Sequence, residues 1–116
     1  MKAKRFSKAL MYHLQWKVLF KKFVDGKGSF KMADLSPEDS KFGQWLCSEE
    51  AARYASEKEL LEIYKIHNKL CKTAKRIYFL KKLGNDVVAR KELAHMEAAS
   101  MKLVSLMSTL KSLNNN

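Results

Sequence analysis

His67 and Cys71 stand four residues apart in the stretch IHNKLC, residues 66–71. On a helix this spacing puts an imidazole and a thiol on one face, a turn apart. Such a pair can chelate a transition metal, because imidazole nitrogen and thiolate sulfur are the donors zinc takes, at about 2.0–2.3 Å. It supplies two ligands only, and the same spacing describes a core histidine beside a small buried thiol. A second histidine, His13, lies within MYHLQWKVLF, residues 11–20, among apolar residues spaced for burial. A neutral imidazole buried without a partner costs about 1–3 kcal/mol. Two inward histidines must therefore each find a hydroxyl or backbone partner, or share one ligand. No glutamate precedes His13 or His67 by three residues, so neither inward histidine carries the Glu-x-x-His pattern of di-iron bundles. No general base stands out either, and no enzymatic activity is expected.

The elements that must carry these residues read as helices throughout. One proline and four glycines leave few forced breaks in 116 residues. Over 4–24, Phe6, Leu10, His13, Lys17, Phe20 and Val24 recur at steps of three and four, with Ala9 and Trp16 beside them. Asp25-Gly26-Lys27-Gly28 ends that helix. Ser36-Pro37-Glu38-Asp39 reads as the start of a shorter helix reaching Leu46, with serine as cap and proline at the first position. Ser56-Glu57-Lys58-Glu59 is a capping-box pattern opening the longest helix, whose face carries Leu60, Ile63, Tyr64, His67, Cys71, Ala74 and Tyr78. Gly84-Asn85 closes it. From 86 to 113, Leu93, Met96, Ser100, Leu103, Met107 and Leu110 form a bundle seam. The expected architecture is all-α: an antiparallel four-helix bundle with a longer connection between helices 1 and 2. It is one domain over 1–113, with a frayed tail at 114–116.

Composition narrows the setting. Hydrophobic residues make up 47% and charged residues 30%, a globular balance, and no apolar run approaches the roughly 20 residues of a membrane span. The basic start MKAKRFSKAL lacks a cleavage site, so no signal peptide is read. Cys47 and Cys71 are then expected as free thiols or ligands in a reducing compartment, and the location as cytoplasmic. The net charge of +11 would attract polyanions, but the basic residues are spread along the chain without an RNA-binding or zinc-finger signature. Nucleic acid is accordingly disfavoured as a partner. Cys47 is read as a packing or surface thiol, His95 as facing solvent or an edge, and Met96 and Met107 as seam packing.

Three segments together resemble one known family. HLQWK at 13–17, SKFGQWL at 40–46 and IHNKLC at 66–71 are similar in order and rough spacing to the chemoreceptor zinc-binding (CZB) domains. In that family His-x-x-Trp-Lys, Cys-x-Phe/Leu-Gly-x-Trp and His-x-x-x-His bring three histidines and a cysteine around zinc inside a helical bundle. The resemblance covers nearly the whole chain. It places His13 and His67 on two of the histidines, Ser40 on the cysteine and Cys71 on the third histidine.

The resemblance thus implies a metal set of His13, His67 and Cys71, completed by water, Ser40 or, as a substitute, Asp39. Cys71 as thiolate would restore the negative charge lost at Ser40. Trp16, Phe42, Gly43 and Trp45 are the structural part of the motif, the tryptophans anchoring helix 1 against helix 2 and Gly43 permitting close approach. The implied function is a zinc-binding sensory or regulatory module of bacterial signalling, in chemotaxis or cyclic-di-GMP control. Its partner would be a signalling protein or fused output domain; a homodimer is compatible, and no membrane contact is expected. The rival reading is a basic helical module for nucleic acid or an acidic protein partner, with a vestigial metal site.

Overall fold

The computed structural model describes residues 2–36 and 39–113. The chain is all-helical, with no strand among the described residues: α1 (Lys2–Val24), a 3₁₀ turn (Met32–Leu35), α2 (Lys41–Leu46), α3 (Glu49–Tyr54), α4 (Glu57–Lys82) and α5 (Asp86–Leu113).

The tightest unit is the hairpin of α4 and α5. The Ser56 side chain accepts the Glu59 N–H while Glu59 accepts the Ser56 N–H, which satisfies two orphan donors at the start of α4. Its end is closed by Gly84, whose φ of 80° is open to glycine at little cost, and by the Asn85 N–H donating to the Leu80 carbonyl at 2.8 Å. Arg76 pairs with Glu92 at 3.1 Å and Lys81 with Asp86 at 3.2 Å, so the two helices run antiparallel. Ile63, Leu70, Ala74 and Ile77 of α4 are fully buried, as are Met96 and Leu103 of α5, with Met107 and Leu110 almost so. Ile63, Ala74, Met96, Leu103, Met107 and Leu110 are on the faces the spacing predicts; Leu70 and Ile77 extend the buried stripe beyond the expected face, and Leu60, Tyr78 and Leu93 are only half-buried.

α1 completes the core. Arg90 and Asp25, 3.4 Å apart, fix its end beside the start of α5, so α1 runs antiparallel to α5 and parallel to α4. Ala9, His13, Phe20 and Val24 face inward. Gly26, at φ 76°, ends the helix as expected. An aromatic cluster then locks the C-terminal half: Phe20 stacks on Trp16 at 5.4 Å and meets Phe30 edge-on at 5.1 Å, and Phe23 stacks on Tyr78 of α4 at 5.2 Å. The indole N–H of Trp16 donates to the Asp34 carbonyl at 2.8 Å and so pins the 3₁₀ turn to α1.

The return from α1 to α4 differs from the expected single helix ending at Leu46. Pro37 and Glu38 of the expected start lie outside the described residues, as does the tail 114–116. Helix α2 begins later, at Lys41, where the Ser40 side chain takes the cap, accepting the Gly43 N–H at 3.0 Å. A second short helix, α3, follows at once, since Ser48 caps the Ala51 N–H and Glu49 and Glu50 favour the positive helix end. Five α-helices therefore stand among the described residues where four were expected. Tyr64, expected inward, is 39% exposed: it sits about 100° round α4 from Ile63, at the edge of the buried stripe. No described helix is long and apolar enough to cross a membrane.

Candidate metal centre

The two histidines are both buried in one layer of the molecule. α1 presents His13 and α4 presents His67 and Cys71, at 1%, 3% and 1% exposure. Phe42, two residues past the cap at Ser40, packs near both rings, with centroids 6.0 Å from His13 and 4.9 Å from His67. Both histidines and Ser40 line one cavity of about 130 Å³, walled by Trp16, Phe30 and Phe42. A space of this size is well above the roughly 10–15 Å³ that one water needs on the same measure.

Each imidazole has its own hydroxyl. Nε2 of His13 is hydrogen-bonded to Oγ of Ser100 on α5, at 2.8 Å. Nε2 of His67 lies 3.3 Å from Oγ of Ser40 and 3.7 Å from Sγ of Cys71. Of the predicted residues, Ser40, His67 and Cys71 thus converge on one atom, while His13 borders the same cavity but is turned to Ser100. Asp39 does not contribute: it is exposed, and its carbonyl accepts from the Gln44 side chain at 3.2 Å. Its place just outside the helix cap directs it to solvent. Among the described residues no three His, Cys, Asp or Glu side chains gather as a metal-holding group.

The charge state suits ligation better than the geometry does. Burial, then the neighbouring His67 and then Lys17, push the His13 pKa from 6.5 down to about 4. His13 is therefore neutral at neutral pH, the form that donates a lone pair to a metal or accepts from a hydroxyl. The donor set fits zinc in kind, with nitrogen, sulfur and oxygen side chains in one buried layer; a third strong donor joins only through His13.

Around this layer the motif residues serve packing. Trp45 and Gly43 are buried on α2, and Trp16 is half-buried against Phe20. Cys47 is exposed at the end of α2, and His95 is exposed on α5. The sequence reading missed Ser100 as the partner of His13. Its signal was present: a serine in a seam otherwise filled by Met96, Leu103 and Met107 calls for a polar neighbour. Ser40→Ala is expected to cost about 1–2 kcal/mol in chemical denaturation, since it removes a helix cap and a buried partner of His67 together; a loss below a few tenths would show that neither bond matters.

No family model, curated protein or solved structure matches the chain.

Proposed function

We propose that the chain is a non-enzymatic regulatory module related to the CZB domains. In this reading it is an antiparallel four-helix bundle whose second helix is broken into α2 and α3. His13, His67 and Cys71, with Ser40, would bind a transition metal, zinc before others. The observation that supports it most is the meeting of the Ser40 hydroxyl and the Cys71 thiol at Nε2 of His67, beside a cavity that His13 also lines.

Zinc would supply a coordination centre tying α1 to α4, and no catalysis. The chain's own residues set the terms. The His13 nitrogen bonded to Ser100 holds α1 to α5, and that nitrogen cannot serve both Ser100 and a metal. Capture of a metal through this nitrogen would release Ser100, whereas capture through Nδ1 would leave that bond in place; the first case gives two populations that a signalling protein or fused output domain of bacterial chemotaxis or cyclic-di-GMP control would read. With serine at position 40, oxidant sensing there is excluded, and Cys71 is too buried to take it over.

The test is elemental analysis of the purified protein beside His67→Ala and Cys71→Ala. Stoichiometric zinc in the parent, lost in both variants, is the expected result. A metal-free protein whose melting temperature does not move at saturating zinc sinks the reading. One observation favours the second reading, a basic module with a vestigial site: His13 and His67 each have a hydroxyl within reach without any metal. Metal-free protein that binds a polyanion with steep salt dependence would establish it.

A further inference from the structure

The face of α1 turned away from the core is apolar where solvent faces are normally polar. Met11, Leu14, Val18 and Leu19 are 52%, 43%, 55% and 57% exposed and, with Gln15, line one shallow depression. Met11, Leu14 and Val18 follow steps of three and four, the spacing of a seam that receives a second helix. The surround of this strip is cationic. The 23 residues of α1 include no Asp or Glu. Lys8, Lys21 and Lys22 are exposed along the strip, and none makes an ion pair among the described residues.

We infer that this face docks an acidic amphipathic helix of a partner protein, whose apolar ridge fills the strip and whose carboxylates meet Lys8, Lys21 and Lys22. Charge selects this occupant. Two copies of α1 packed on each other would set lysine against lysine with no carboxylate on either helix, which disfavours a homodimer through this face. A nucleic acid has phosphates for the rim but nothing for the four apolar side chains. An anionic membrane is matched less well: the strip is narrow, Gln15 lies within it, and it holds none of the aromatic residues that anchor helices among lipid headgroups. The inference is independent of metal binding, because none of the four apolar residues is a candidate ligand.

The probe is a synthetic amphipathic helical peptide of leucine and glutamate, labelled with a fluorophore and titrated with the full chain by anisotropy. A peptide with lysine in place of every glutamate is the control. The Glu peptide is expected to bind, more weakly as salt is raised, and the Lys peptide not. Val18→Glu should weaken binding at least about tenfold. Lys21→Glu with Lys22→Glu should move the preference toward the Lys peptide. Met11→Glu replaces Val18→Glu if circular dichroism shows the latter has lost helix. Equal binding of both peptides, no binding of either, or affinity untouched by Val18→Glu overturns the inference. So does sedimentation with phosphatidylcholine–phosphatidylserine vesicles by a protein that ignores the Glu peptide, or a dimer that Val18→Glu dissociates.

Discussion

Phe20→Ala is expected to destabilise the protein by about 3–5 kcal/mol, the range for truncating a fully buried aromatic side chain. Phe20 has no exposed surface and is the hub of the cluster that joins α1 to the return segment: Trp16 stacks on it, Phe30 meets it edge-on, and Phe23 touches it at 6.0 Å. Each such ring pair adds about 0.5–1.5 kcal/mol beyond area burial, and alanine removes them all. Against a total stability of about 5–15 kcal/mol, that loss brings the domain to the edge of unfolding. Urea denaturation followed by circular dichroism measures it, with Phe20→Leu as a milder companion. A cost near zero would mean the cluster is not what fixes α1.

Acid should unfold the protein earlier than its carboxylates alone would explain, through His13. The folded pKa of about 4 lies below the ordinary 6.5. Between those two values the unfolded chain takes up a proton that the folded chain refuses, so stability falls as pH drops from about 6.5 to about 4 and does not depend on His13 above that window. A displacement of this size corresponds to about 3 kcal/mol when complete. Ser100 cannot relieve it, because a protonated ring beside Lys17 and His67 remains buried among like charges. Denaturation midpoints at a series of pH values test this in the parent and in His13→Gln, which keeps a hydrogen-bonding group without titrating. The variant should flatten the slope in that window; an unchanged slope would place the acid sensitivity elsewhere.

Local punctuation was legible in the sequence where one residue dictates one geometry. Ser56 with Glu59 could only be a capping box, and Gly26 and Gly84 sit where the chain turns through positive φ. The seam of α5 was legible because apolar residues at steps of three and four have one way to be buried. What escaped was competition between similar local signals. Ser36, Ser40 and Ser48 are all competent caps; a helix starts after the second and another after the third, so the expected helix is shortened to Lys41–Leu46 and an extra one, Glu49–Tyr54, follows it. His13, His67 and Cys71 were legible as buried residues from their places on apolar faces, whereas Ser40 was reached only through the resemblance and Asp39, its substitute, is exposed. Their pairing was not: His13 and Ser100 are 87 positions apart, and no local periodicity encodes which hydroxyl an imidazole meets across a bundle.

The start of α2 covers the histidine layer, with Ser40, Lys41 and Phe42 lining the cavity, and α2 is one of the two shortest α-helices among the described residues. α2 and α3 span six residues each, shorter than the roughly 12–15 at which isolated helices become even marginal, and each starts from a single serine cap. Such segments open by local excursions far cheaper than global unfolding. Fraying of α2 from its Ser40 cap is therefore the expected route by which solvent reaches His13 and His67 while the α4–α5 hairpin stays closed.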